Sequence, residues 1–338
     1  MTALAQHIHT HIHTLNRQSN YDPTRTTVLR NQFSSQMKKR FRALRGLIRY
    51  AVIDQDCFGL TSSSSLSAST GTPVLTLAAY AAMSPPGWRA FDFARSSEKV
   101  EAFIAWLIEQ EERGILEITF RQQLGVGAED AWTNTYLQSA YQKGIARARN
   151  ELRAAGYRSK SGEEIPELDT DDLINAAFNA PFHADRVGVL YSRVYQELKG
   201  ITAQMDTQIS RILAQGILDG KNPREIAKLL TATISGPVGD LGITDTLGRF
   251  IPAERRAVML ARTEIIRSHH LANVTEMRNW GVEGVKVKAE WQTAGDSRVC
   301  EKCSSLQGKV FTLDEIESMI PLHPNCRCVA LPLDVTDE

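Results

Sequence analysis

Apolar residues recur every three or four positions along most of the chain, and each such stretch predicts an amphipathic helix. After Asp22-Pro23, read as a cap and a first-turn proline, the stripe is Leu29, Phe33, Met37, Phe41, Leu44, Ile48 and Val52. Ser97 with Glu98 opens a second helix through Val100, Phe103, Ile104, Leu107 and Ile108, with Gly114 as its stop. A third runs from Glu129 to Ala155 with Trp132, Tyr136, Tyr141, Ile145, Ala148 and Leu152 on one side and Gly156 as its C-terminal signal; these aromatics are core positions. Val187, Leu190, Val194, Leu198, Ile201, Met205, Ile209, Ile212 and Gly216 then mark a rod of about thirty residues, roughly 45 Å at 1.5 Å per residue. Asn222-Pro223 with Glu225 caps a short helix through Leu230. The last long helix begins at Pro252 and ends at Trp280-Gly281.

The period then changes from 3.6 to 2. Val285, Val287, Ala289 and Trp291 alternate as a half-buried strand, Gly308 to Phe311 is a second short strand, and Thr312 with Glu315 forms a capping box for a short helix. The stretch 61–70 is nearly all Ser, Thr and Ala and reads as a loop; 157–172 is polar with Gly162 and Pro166 and reads as a linker; Gly236 to Gly242 is another loop. The expected architecture is a mainly α protein: a basic N-terminal helix and tail over 1–60, an elongated helical region over 61–250, and a small α+β module over 251–338.

The 39 basic residues are balanced by 39 acidic ones, so attraction to nucleic acid has to come from a local patch. The first helix carries one. Arg17, Arg25, Arg30, Lys38, Lys39, Arg40, Arg42, Arg45 and Arg49 are opposed only by Asp22 in that interval, which reads either as a solvated face or as a contact for phosphates or an acidic protein surface. The longest apolar run, Val74 to Met83, is too short to span a bilayer, and the start of the chain has no basic segment followed by an apolar one, so no membrane contact and a cytosolic site of action are expected. His7, His9, His11 and His13 alternate near the chain end and receive no function.

Four of the five cysteines lie between 300 and 328: Cys300-Glu-Lys-Cys303, then His323-Pro-Asn-Cys326-Arg-Cys328. A Cys-x-x-Cys turn joined by a distant second cluster is the spacing of a closed tetrahedral zinc site. Four of the five candidates Cys300, Cys303, His323, Cys326 and Cys328 are expected to bind a structural Zn2+, and Cys326 and Cys328 can both face it only if that segment is extended. Two disulfides are the alternative, disfavoured by a reducing cytosol; a catalytic zinc needs an open position, which this crowd of ligands leaves little room for. Asp296 reads as a turn residue rather than a support for the metal ligands. A metal clip suits a module too small to bury much apolar surface by itself.

Four segments, Ala261-Arg-Thr-Glu-Ile-Ile266, Glu290-Trp-Gln-Thr-Ala-Gly-Asp296, Val299-Cys-Glu-Lys-Cys303 and Ile320-Pro-Leu-His-Pro-Asn-Cys-Arg-Cys328, make the last eighty or so residues resemble the phage head morphogenesis or minor head proteins, similar to protein F of phage Mu and the minor head protein of phage SPP1. Asp22-Pro-Thr-Arg25 and Trp132-Thr-Asn-Thr-Tyr-Leu137 also resemble longer members. The resemblance implies a minor structural protein of the virion that joins the head during assembly in several copies, associates with the portal and contacts packaged double-stranded DNA; it supplies no catalytic residues. Lys38, Lys39, Arg40, Arg42, Arg45 and Arg49 are then candidate DNA or portal contacts. Some relatives carry an effector domain after the metal motif; with ten residues past Cys328, none is expected here. Two other readings compete: a metal-dependent nuclease or hydrolase using Glu264, His269 and His270, whose side chains do not converge on one helical face, and a non-viral zinc adaptor that binds nucleic acid. Arg262 and Glu264, two apart on the helix, are each expected to pair with the zinc module.

Overall fold

The computed structural model describes residues 22–58, 99–116, 132–159, 161–236, 251–280 and 287–333. The histidine-rich start with Arg17, the loop 61–70, the apolar run 74–83, the helix start at Ser97, the stretch 237–250, Val285 and the acidic end lie outside the described residues. The chain forms two compact units, one of residues 34–132 and 193–260, the other of residues 1–33, 133–192 and 261–338.

The fold is mainly helical, with strands only in the C-terminal module among the described residues. The helices are α1 (Thr27–Arg49), α2 (Lys99–Glu111), α3 (Trp132–Ala154), α4 (Asp171–Phe178), α5 (Pro181–Leu218), α6 (Pro223–Ser235), α7 (Ala253–Trp280), α8 (Glu301–Ser304) and α9 (Leu313–Glu317); the strands are β1 (Lys288–Gln292), β2 (Val310–Thr312) and β3 (Val329–Pro332).

In the unit of residues 34–132 and 193–260, Met37, Phe41, Leu44 and Ile48 of α1 are fully buried, as are Phe103 and Leu107 of α2. Two helices end in π-helical turns, Tyr50–Asp54 after α1 and Glu112–Leu116 after α2. Gly114 therefore does not stop α2; it lies inside the second turn, and its carbonyl accepts a 2.6 Å hydrogen bond from Arg40 Nη1. The α5 stripe follows the expected positions through Ile209 but continues at Leu213, with Ile212 only half-buried, because the fully buried face there takes the four-residue step. At 38 residues α5 is about 57 Å long. Gly216 is there for close packing: a Cβ would lie 3.0 Å from Ile226 Cγ1 of α6. The α6 cap is as the sequence predicts, Asn222 Oδ1 accepting from Glu225 N at 3.0 Å.

In the other unit the N-terminal turn differs from expectation. Helix α1 starts at Thr27, not at Pro23, because the Asp22 carboxylate gathers the backbone N–H groups of Thr24 and Thr26 and the Thr27 hydroxyl, while Arg25 takes a left-handed φ of 53°. Arg30 closes this turn at 2.6 Å. Burial pushes the Asp22 carboxyl up, but Arg30 and the hydroxyl donors outweigh it and hold it at about 2. The polar stretch after α3 does more than link: Gly156 ends α3 at φ 83°, Tyr157 and Ile165 enter the core, and Thr170 caps the separate short helix α4.

Helix α7 is the backbone of this unit. Gly144 of α3 packs against it so closely that a Cβ would lie 2.3 Å from the His269 carbonyl oxygen. A buried network joins the neighbours: Tyr141 O–H to His183 Nδ1 at 2.9 Å, His183 Nε2–H to Glu276 at 2.8 Å, with Arg149 and Trp280 also donating to Glu276. On its other side α7 meets a three-stranded antiparallel sheet of order β2-β1-β3, with Ala289 opposite Phe311 and Trp291 opposite Ala330. The apolar pattern does not predict strand β3. Strand β1 is buried on both faces rather than one: Trp291 is fully covered, and Glu290 and Gln292 are buried too, Gln292 Oε1 accepting from Gln307 at 3.0 Å. The predicted capping box of α9 forms at Thr312 and Glu315.

Candidate metal centre

The core of the small module runs from Trp291 and Ala289 through Ile316 and Ile320 directly into Cys303, Cys326 and Cys328. Each sulfur is delivered by a local device. Cys300 is the cap of α8: its sulfur accepts from Cys303 N at 3.4 Å, which curls the Cys-x-x-Cys turn and turns Cys303 inward. His323-Pro-Asn325 makes a turn with Asn325 at φ 62°, and Asn325 N donates to Thr263 Oγ1 on α7 at 3.1 Å. From there the chain runs into β3, and the sulfurs of Cys326 and Cys328 come together with that of Cys303.

Five ligand atoms come together in two overlapping sets. Cys300, Cys303 and His323 form one, and Cys303, Cys326 and Cys328 the other; within each, the ligand atoms lie within 4.8 Å of one another. His323 Nε2 is 3.2 Å from Cys300 Sγ and 3.1 Å from Cys303 Sγ, and Cys303 Sγ is 4.0 Å from Cys326 Sγ. His323 Nδ1 lies 2.8 Å from the Pro324 carbonyl, which only accepts, so Nδ1 carries the proton and the Nε2 lone pair faces the sulfurs. The hydrogen bond from Cys328 lowers the Cys326 thiol to about 5, and the same bond with burial pushes Cys328 up. None of the five cysteines forms a disulfide, the buried Cys57 of the other unit included. The cluster can hold a metal ion.

Asp296 does more than make a turn. Its Oδ1 accepts from Arg298 N at 3.0 Å, and both carboxylate oxygens accept from the two Nη groups of Arg327 at 2.6 Å. Arg327, between two buried cysteines, is the signal that leads to it: its side chain has to leave by the opposite face and needs an acid there.

The residues of the enzyme reading do not assemble. His270 donates from Nε2 to the Ile316 carbonyl at 2.9 Å, Glu264 pairs with Arg267 of its own helix at 3.2 Å, and all three of Glu264, His269 and His270 are buried. Burial lowers both imidazoles, His270 to about 4. Of the two motif residues on α7 expected to reach the module, Glu264 is engaged by Arg267, and it is Thr263 between them that touches the His-Pro-Asn turn.

The basic face of α1 is only partly available. Arg40 is turned inward with its guanidinium 4.1 Å over the Trp132 ring, Arg42 lies 3.6 Å from Glu254, and Arg45 donates to Ser235 Oγ at 2.8 Å. Lys39, Arg42, Arg45 and Arg49 are exposed and Lys38 half-buried.

A small α+β fold carries a thiol and imidazole cluster that could hold a metal ion, and among the described residues no helix is long and apolar enough to cross a membrane. Residues 207–331, from within α5 to within β3, match the family described as phage Mu protein F like protein, in agreement with the four motif segments of the last eighty residues, and the match points to a phage head-morphogenesis protein. Neither the comparison with curated proteins nor that with solved structures returns a match.

Proposed function

We propose that the protein is a minor head protein of a tailed phage or prophage, built into the virion at the portal vertex or head interior in several copies, with a C-terminal module clipped by zinc. The observation that carries this reading is the coincidence of the Mu F-like match with the ligand cluster: Cys300, Cys303, His323, Cys326 and Cys328 all fall inside residues 207–331. Four thiols and an imidazole with its lone pair directed at them are the donor set of a structural zinc site, and four of the five suffice. Bound there, the ion would cross-link the α8 turn to the segment before β3. Proteomics of purified particles, with copy number taken relative to the portal, tests the assignment; absence from particles at every stage of head assembly would refute it.

The exposed Lys39, Arg42, Arg45 and Arg49 of α1, with the half-buried Lys38, are the proposed contact for DNA phosphates or for an acidic portal surface. A metal-dependent nuclease is the weaker alternative, since Glu264 and His270 are directed into separate contacts and His269 is buried.

A further inference from the structure

We infer that Asp296 is the positioning residue of the metal centre, holding Cys326 and Cys328 against Cys303 through Arg327 without itself touching the metal. The inference rests on the metal reading above and deepens it.

Strands β1 and β3 pair in antiparallel register, and the last rung toward the cluster is Gln292 with Val329. Beyond that rung the ladder ends, and the chain runs on from β1 toward Cys300 and back from β3 toward Cys328. Asp296 and Arg327 meet in this gap with two parallel N–H···O bonds of 2.6 Å each. Their pairing closes the open end of the ladder, past its last backbone rung. A fork of this kind sets orientation as well as distance, which a single hydrogen bond does not.

Alternation then decides where the sulfurs point. In extended chain the side chain of residue 327 points away from those of 326 and 328. Fixing the guanidinium on one side therefore presents both sulfurs on the other, where they lie with Cys303 inside 4.8 Å. Rotation of this segment about its axis would carry both sulfurs away together. Asp296 is itself held: Oδ1 accepts from Arg298 N at 3.0 Å, and its carbonyl from Val299 N at 3.1 Å, one residue before Cys300. The acid is thus built into the turn that leads into the first pair of ligands, and grips the segment that bears the second pair. The two ligand groups are separated by about twenty residues of chain, and this ion pair sets their register.

The test uses the full chain, with cobalt and zinc titrated against a chelator of known affinity. The visible bands of the cobalt-loaded protein report how many thiolates bind. Asp296→Asn is expected to lose about 10- to 100-fold in metal affinity and to show altered thiolate bands. The charge exchange Asp296→Arg with Arg327→Asp is expected to recover part of both. Equal affinity and an unchanged spectrum in Asp296→Asn would overturn the inference while leaving the metal reading standing. Failure of the wild-type chain to bind either ion would overturn the metal reading itself. If Asp296→Asn does not fold, Arg327→Lys decides. It keeps the charge and loses the fork, so a several-fold loss of affinity supports the inference and wild-type affinity overturns it.

Discussion

Replacing Asp206 by Asn should stabilise the unit of residues 34–132 and 193–260 at neutral pH and leave it unchanged near pH 4. Asp206 of α5 shares a hydrogen bond with Glu111 of α2, which is 2% exposed and also bonded to Thr202. Burial raises the Asp206 carboxyl to about 6 from an ordinary 3.8, and burial followed by the charge of Asp206 raises Glu111 as well. The native state therefore binds the Asp206 proton more tightly than the unfolded chain does. Its contribution to stability is complete below about 3.8 and is lost as pH rises through about 6. A carboxyl held at 6 instead of 3.8 differs by about 3 kcal/mol between its protonation states. Asparagine keeps the shape, carries no charge at any pH, and can donate to Glu111. The variant should thus gain nothing at pH 4 and about 3 kcal/mol by pH 8, equivalent to amide exchange slowed about 100-fold. Native-state hydrogen exchange of the α2 amides measures this, because comparing variant and wild type at one pH cancels the intrinsic chemistry. A protection ratio that is the same at pH 5 and pH 8, or a variant less protected throughout, would refute the shared-proton account.

Gly144→Ala places a Cβ 2.3 Å from the His269 carbonyl oxygen and 2.7 Å from Ala272 Cβ, so α3 and α7 must part. Overpacking of about 1–3 kcal/mol outweighs the 0.5–1 kcal/mol or so by which Ala exceeds Gly in a helix, and a lower unfolding temperature is expected; a higher one would show that the helices yield freely. Cys303→Ser removes the sulfur common to both ligand sets, and elemental analysis should find about one zinc per wild-type chain and none per variant chain. Zinc retained at full stoichiometry would mean that Cys303 is not a ligand. Gln at Lys38, Lys39, Arg42 and Arg45 should flatten the dependence of log K on log salt by about 0.9 for each phosphate no longer neutralised, equally on unrelated DNA sequences. Unchanged DNA affinity together with abolished binding to purified portal would assign this face to the protein partner.

What the sequence makes legible is what depends on near neighbours in the chain. The stripe of α1, most of those of α3 and α5, the caps at Asn222 and Thr312, and the gathering of Cys300 with Cys303 follow from spacings of two to four residues; the departures are Trp132 and Tyr136 of α3 and Ile212 of α5, which are only half-buried. Errors cluster where a distant partner decides. Strand β3 is hidden because Cys-Arg-Cys-Val reads as a ligand run, and only pairing with β1 makes it a strand. The count of nine bases against one acid on the first helix overstates the charge it presents to solvent: Arg30 is held by Asp22, and Arg40 lies on Trp132, 92 positions away in the chain.

Asp296 shows how far a local reading goes before it stops. As an acid followed two residues later by Arg298, it predicts a turn, and the turn is there, with Arg298 N on Oδ1. The same carboxylate also faces Arg327, and nothing within four residues of either one says so. A physical requirement does connect them. If Cys326 and Cys328 share a face, Arg327 must leave by the other, and a half-buried guanidinium beside a hydrophobic core needs a carboxylate. Asp296, just before the first ligand pair, is placed to supply it. Ligand spacing therefore implies the acid as well as the metal, provided the residue between two ligands is read with as much care as the ligands.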